Sequence, residues 1–390
     1  MENMSDVKNM FIQFIDLLAA NMKPTVRTHS FNYVMALMLP PEKKRKSIVA
    51  ITELVSNVNQ STMNRAMKSI DPVQLLRNWI LSLKDEIDNH PVILVIDDTL
   101  NEHPGSVVMK AVAWFHDRKI GKSVKAHQIV TTGLYDTVTE RFYPFVIKLY
   151  KKKEYCKVNG QEFKTKIDLV ADFLMNAYEN FNVVKVVTDS WYASSDFLKN
   201  AKLFVTELKC NRVVKQSEVS VVRGKHDKTG WMSLDELANL MKENLTDRAG
   251  MNILPTYGKY LMTKVSLSNG LVVSLLILYD KKHNSYKYLI SNEETITLEE
   301  YLKIWRVRWM IEEFHKDGKA LGLGEYQTRD EVMPLIHGVS LIFAYTLLAK
   351  MARESQRMFG EIVKTIGECS RLLKKLLFFK KDYKSLLFTG

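Results

Sequence analysis

In the first 88 residues apolar positions recur at helical spacing, as at Phe11, Phe14, Ile15, Leu17 and Leu18, and no stretch alternates convincingly. This predicts a separate helical domain. Within it, SIVAITELVSNVNQSTMNRAMKSI reads as helix, short polar break and helix, with Ser61 or Thr62 capping the second. From residue 92 the pattern changes to short runs rich in β-branched residues, VILVI, VVMKAVAWF and HQIVTTGLY, which predict buried strands. FYPFVIKLY adds a further strand, KTKIDLVADFLMNAY has helical spacing, and VVKVVT returns to a buried strand. That order implies an α/β layer fold. Between about 209 and 295, turn residues separate strand-like runs such as VSLSNGLVVSLLILYD, which predicts a β-rich insertion. A helix is then expected from Thr297 as N-cap, with Glu299 and Glu300 in its first turn, to about Lys319, and Gly318, Gly322 and Gly324 mark its end.

Val332 to Met351 is apolar enough to resemble a membrane span, but it contains Pro334, His337, Ser340 and Thr346. At roughly the minimum spanning length of 20 residues, a buried core helix is the better reading, and no membrane partner is expected. The amino terminus MENMSDVKNMFIQFIDLL carries acids and lacks a basic start and a small-residue cleavage site, so a cytoplasmic location is expected. Cys156, Cys210 and Cys369 lie far apart and spell neither a zinc site nor a disulfide framework.

Across 390 residues, 46% of them hydrophobic, there is ample material for one large core or two to three modest domains. The net charge of +12 favours a polyanionic partner, because Lys and Arg gain affinity by releasing phosphate counterions. The run Lys43, Lys44, Arg45 and Lys46 precedes the helix–break–helix segment. Together they fit a helix-turn-helix with phosphate-contacting flanks and, equally well, an ordinary helical hairpin.

Three acidic residues close two strand-like runs: Asp97 and Asp98 after VILVI, and Asp189 after VVKVVT. Strand-end carboxylates line the crevice where open α/β sheets place ligands. Hard cations such as Mg²⁺ take carboxylate oxygens, and a pair of them suits phosphoryl transfer. A turn or helix cap is the structural alternative for each Asp taken singly. The segment WRVRWMIEEFHKDGK changes that balance. At about 100° per residue, Trp305, Arg308, Trp309, Glu312, Lys316 and Lys319 share one face, while Val307, Met310, Ile311 and Phe314 form the packing face. Ordinary i,i+4 ion pairing would account for the charges but not for tryptophans on a polar face. Aromatics interleaved with Arg and Lys suit base stacking and phosphate clamping.

These residues resemble the DDE transposases of prokaryotic insertion sequences, in particular the group with the YREK signature: Tyr, two residues, Arg, three residues, Glu, six residues, Lys. Arg308, Glu312 and Lys319 match it in identity and spacing, and Trp305 stands in the Tyr slot without the hydroxyl. Asp98-Thr99 matches the family's first Asp motif, which leaves Asp97 as the lesser candidate, and Asp189 in TDSWYASSDF matches the second. The resemblance covers roughly residues 90 to 350. It implies an RNase H-like mixed sheet flanked by helices, with Asp98, Asp189 and Glu312 holding two Mg²⁺ ions, for which Mn²⁺ substitutes. It also implies cleavage at transposon ends by water and then attack of the freed 3′-hydroxyl. Arg308, Lys316 and Lys319 would bind DNA phosphates, and Trp309 would stack a flipped base if ends pass through hairpins. Implied partners are double-stranded DNA with terminal inverted repeats, target DNA and a second copy of the chain.

The expected organisation is a helical DNA-binding domain over 1–88, catalytic core over 89–208 and 296–352, β-rich insertion over 209–295 and helical tail over 353–390. His116 and His127 are read as structural, and Trp231 as a core residue rather than a DNA wedge. Lys148, Lys151, Lys152 and Lys153 suit either DNA backbone or a solvated loop, and RLLKKLLFFKKDYKSLLF suits DNA, an interface or a surface helix. Two rival functions are a catalytically silent transposase-derived DNA-binding protein and an RNase H-like endonuclease without strand transfer.

Overall fold

Among the described residues the amino-terminal part holds the helices α1 (Pro24–Met38), α2 (Ile48–Val55), α3 (Gln60–Lys68) and α4 (Pro72–Ile87). Proline at the first turn starts α1 and α4, where its missing N–H costs nothing. The cap of α3 is Asn59, whose side chain accepts from the Thr62 amide at 2.9 Å, so the expected cap at Ser61 or Thr62 lies one turn too late. The computed structural model describes residues 10–13, 16–18, 20, 22–40, 47–55, 59–216, 230–247, 256–326 and 328–379. The basic run at 43–46 and the tail beyond Phe379 fall outside them.

The strands are β1 (Val92–Glu102), β2 (Ala113–Asp117), β3 (Lys122–Asp136), β4 (Arg141–Tyr150), β5 (Val183–Thr188), β6 (Phe204–Leu208), β7 (Val213–Gln216), β8 (Trp231–Ser233), β9 (Thr246–Asp247), β10 (Lys259–Leu267), β11 (Val272–Asp280) and β12 (Ser285–Ser291). Between them lie α5 (Lys153–Val158), α6 (Lys166–Asn180), α7 (Ser195–Asn200) and α8 (Leu234–Leu240). The carboxy-terminal part is helical: α9 (Leu298–Val307), α10 (Trp309–Ala320), α11 (Met333–Arg353), α12 (Ser355–Phe359) and α13 (Ile366–Phe379).

Among the described residues all twelve strands join one mixed sheet, in the order β2-β3-β1-β5-β6-β12-β11-β10-β7-β8, with β4 on β3 and β9 on β10. β1, β5 and β6 run parallel, while β3 and β4 are antiparallel neighbours. The α/β class expected from the sequence, a mixed sheet flanked by helices, is the observed one. The strands of 209–295 extend this same sheet, because β12 pairs with β6 over Ser291↔Val205 to Tyr288↔Leu208.

VVMKAVAWF does not form a buried strand. Pro104 and Gly105 turn the chain, Val107 is 90% exposed, and only Ala113–Asp117 pairs, at the sheet edge and with β3 alone. Lys148 and Lys151 of the basic cluster are held in ion pairs, with Asp172 at 3.0 Å and Glu331 at 2.7 Å, and so are not an open phosphate track.

Among the described residues α11 is the one helix long and apolar enough to cross a membrane by length and composition, and it is largely buried. Around it pack α1, α4, β4 and α13. Tyr33 on α1 meets His337 Nδ1 on α11 at 2.7 Å, and Ser370 on α13 donates to the Met38 carbonyl at 2.6 Å. The amino-terminal helices thus share a continuous apolar core with the sheet.

β3 and β4 meet at a register shift beside Gly133, where a Cβ would lie 2.1 Å from the Phe142 ring. Gly133→Ala is expected to lower stability by about 1–3 kcal/mol through overpacking. Denaturant unfolding checks this; an unchanged midpoint would show that Phe142 can swing aside.

Candidate active site

β1 runs on to Glu102 because β3 pairs with it throughout, so Asp97 and Asp98 lie within the strand and not at its end. On the other side, β5 stops pairing at Ile96↔Thr188, and Asp189 follows immediately. The three carboxylates therefore gather where β1 outruns its parallel neighbour. Alternation along a strand sends Asp97 and Asp98 to opposite faces.

Asp98 is held by three donors: Lys166 Nζ at 3.0 Å, the Tyr192 hydroxyl at 2.8 Å and Gln128 Nε2 at 2.5 Å. Lys166 is buried at the first turn of α6, where Thr165 and Asp168 form a capping box, and its ammonium lies 3.6 Å from the Trp191 ring centroid. Burial and the Asp98 charge raise the Tyr192 pKa far above normal, so the hydroxyl stays a donor.

Asp97 faces α10. Burial, with Asp189 and Asp98 beside it, pushes its carboxyl up to about 7, against the opposing pull of the Asp98 amide and Arg308. Asp189 is likewise raised by burial and by Asp98, while the Trp191 amide donates to it at 2.9 Å. Thr131, opposite Asp97 on β3, lies 3.2 Å from the Asp97 carbonyl and shares a hydrogen bond of 2.6 Å with His315 Nε2. Burial, reinforced by Lys319, pushes the His315 pKa down to about 3, so a neutral imidazole ties α10 to β3.

Arg308 joins the two halves of the site. Its guanidinium is 2.6 Å from Glu312 and 4.0 Å from Asp97, and it lies between the rings of Trp305 (4.9 Å) and Trp309 (5.3 Å). Its Nε is buried without a partner among the described residues. The expected continuous helix is broken here. Arg308 N bonds back to Trp305 O and Ile311 N to Arg308 O, i→i−3 contacts that tighten the turn between α9 and α10.

The sequence-based face is correspondingly wrong at one position. Trp305 is 1% exposed, pressed between α9 and the sheet and covered by Arg308 and Lys287, so it cannot stack on a base. Trp309 is 47% exposed, as expected. Glu312 is half-buried, and Lys316 and Lys319 are exposed. Desolvation and the neighbouring Lys119 lower the Lys319 pKa, with Asp117 and Glu102 opposing.

Among the described residues no three His, Cys, Asp or Glu side chains form a ready-made metal cage. The donor set still suits a hard cation, because Asp189 and Asp98 raise the Asp97 carboxyl, Asp98 raises that of Asp189, and the three side chains offer only oxygens. Sequence reasoning missed the Lys166–Tyr192–Gln128 cradle and the prominence of Asp97. The signal for Lys166 is its place after Thr165 in the capping sequence TKID; Tyr192 and Gln128 carry none, since only folding brings them to Asp98.

Two outcomes follow from this geometry. Trp305→Ala should cost about 3–5 kcal/mol of stability and Trp309→Ala under about 0.5 kcal/mol, as read by denaturant unfolding. Equal losses would refute the inside–outside assignment. Because the folded-state pKa of Asp97 is raised from 3.8 to about 7, its contribution to stability is full below the unfolded value and is lost as pH rises through 7. Without added divalent ions, the native chain should therefore lose more thermal stability between about pH 5 and about pH 8 than Asp97→Asn does; parallel curves would show that Asp97 is not the titrating group.

Comparison with known proteins agrees with this architecture. The model of the family described as "Archaeal putative transposase ISC1217" matches residues 47–349. Among solved structures, the piggyBac transposase in a synaptic complex with hairpin DNA is similar over 97% of this chain and 85% of that chain, at 12% identity and a TM-score of 0.50. The catalytic domain of human endonuclease V aligns with 64% of this chain and 97% of its own length, at 11% identity and a TM-score of only 0.25. No curated protein matches the sequence. With well over half of its length matched by that family model, the chain belongs to the ISC1217 transposase family.

Proposed function

We propose that this protein is a DNA transposase of the DDE type with an RNase H-like core, cutting DNA at terminal inverted repeats and joining the freed 3′ ends to target DNA. The observation that carries the reading is the meeting of Asp97, Asp98 and Asp189 with the Arg308–Glu312 pair at the point where β1 outruns β5. Asp98, Asp189 and Glu312 are the proposed ligands of two Mg²⁺ ions, with Mn²⁺ as a substitute; Asp97, on the other face of β1 beside Arg308, is the alternative to Asp98 as first carboxylate. When bound, such ions supply Lewis-acid stabilisation of the attacking and leaving oxygens in phosphoryl transfer.

The chain's own groups do the rest. Lys166, Tyr192 and Gln128 fix the Asp98 carboxylate before any substrate arrives, which limits reorganisation during reaction. Arg308 is stiffened by two indole rings and has an unpartnered Nε, so it is prepared for a phosphate oxygen once Glu312 turns to its own ligand role. Lys316 and Lys319 offer exposed ammonium groups farther along α10 to the DNA backbone. Trp309, half out in solvent beside Arg308, offers a face for an unstacked base, in keeping with hairpin ends. Trp305 acts beneath Arg308 as its support. Assembly on two DNA ends calls for at least a dimer.

The test is cleavage of a labelled duplex carrying the element's own terminal repeat with Mg²⁺, comparing the native chain with Asp97→Ala, Asp98→Ala, Asp189→Ala, Glu312→Ala and Glu312→Gln. Cutting at the repeat boundary should be abolished by loss of Asp98, Asp189 or Glu312, while Glu312→Gln still binds the duplex. Cleavage retained in Asp98→Ala but lost in Asp97→Ala would transfer the ligand role to Asp97. Specific binding with no cutting by the native chain would favour a silent DNA-binding protein, and cutting without end specificity a plain nuclease.

A further inference from the structure

Beyond Asp98, β1 leads through Leu100, Asn101 and Glu102 into a projecting arm, residues 104–125, made of a loop, the edge strand β2 and the start of β3. Its surface is unusual. Val107, Val108, Trp114 and Ile120 are each more than half exposed. In the same segment Lys110, Arg118, Lys119 and Lys122 are exposed, against Asp117 as the arm's acid. Phe115, by contrast, turns inward against Tyr150. Large apolar groups exposed in succession mark a binding surface rather than an ordinary exterior, and their surround of cations selects a polyanion.

The arm also stands in a telling place. A cleft of about 900 Å³ separates its base, residues 100–109, from the connector between α10 and α11, with Lys319 and Arg329 among its lining. Lys119 at the arm's tip lies close enough to Lys319 to depress its pKa. The arm's cations thus continue the basic surface of α10 outward from the acidic site.

We propose that this arm is a second DNA contact surface, in which Lys110, Arg118, Lys119 and Lys122 hold phosphates of the duplex flanking the scissile bond and Trp114 packs against its sugars or bases. The assignment rests on the transposase reading above. Backbone contacts of this kind add affinity without sequence preference, and an exposed indole adds stacking or wedging.

The experiment measures binding of two fluorescent duplexes, one with the terminal repeat and one unrelated, across a salt series. It compares the native full-length chain with Trp114→Ala, Trp114→Phe and the triple variant Arg118→Ala/Lys119→Ala/Lys122→Ala. The triple variant should weaken both duplexes about tenfold and flatten the log–log salt dependence by roughly 2–3. Trp114→Ala should weaken both by a few-fold, with Trp114→Phe restoring most of it. Unfolding temperatures should match the native chain, since these side chains are exposed. Native affinities and slopes in all variants would overturn the arm while leaving the transposase reading intact; a native chain that binds neither duplex would overturn both. Unchanged DNA binding with a changed oligomeric state in Trp114→Ala would assign the arm to a subunit contact instead.

Discussion

The site depends on an inequality in hydrogen bonding. β1 is paired with β3 along its whole length but with β5 only as far as Ile96. Past that residue one edge of β1 is open, and the side chains that follow project into a crevice rather than a core. Asp97, Asp98 and Asp189 all lie within two residues of the last parallel pair, so strand lengths alone bring together three negative charges. Such a cluster is unfavourable in isolation, and the fold brings cations to it from both faces, Lys166 from α6 and Arg308 from the α9–α10 junction.

Those two cations are held in different ways. Lys166 is buried, bound to Asp98 and laid over Trp191, so its charge is a fixed part of the scaffold. Arg308 spans Glu312 and the edge of Asp97, and its Nε has no partner among the described residues. Removing both charges would leave an interior that resists folding. The arrangement that offsets the carboxylates thus also sets a guanidinium edge toward the crevice.

Much of this was legible in the sequence, and the parts that were not share a cause. Runs such as VILVI and VVKVVT declared buried strands, and the spacing of Arg308, Glu312 and Lys319 marked the helix that carries part of the candidate site. A window that starts at Trp305 omits Leu298, Tyr301 and Leu302, whose spacing with Trp305 puts it on the buried face of α9, and it carries that phase across the i→i−3 tightening at Arg308, which is why Trp305 was expected outside. Likewise VVMKAVAWF has the composition of a core strand, but composition cannot tell an edge from a centre, and Pro104-Gly105 decided the matter. The cradle of Asp98 draws on residues 30 to 94 positions away, beyond any local pattern.

His337 carries a mechanical consequence. Its Nε2 faces the Gly322 carbonyl at 2.9 Å, and a carbonyl only accepts, so Nε2 bears the proton and Nδ1 accepts from Tyr33. His127 obeys the same logic, donating to the Lys110 carbonyl and accepting from Tyr326. One imidazole thus pins the first helix to the connector that borders the cleft, and the other pins that connector to the loop on the opposite wall. Both walls of the cleft are thus fastened to the core by imidazoles whose tautomers are set by carbonyls, so the spacing of the walls is fixed from within the core and not by the loops themselves.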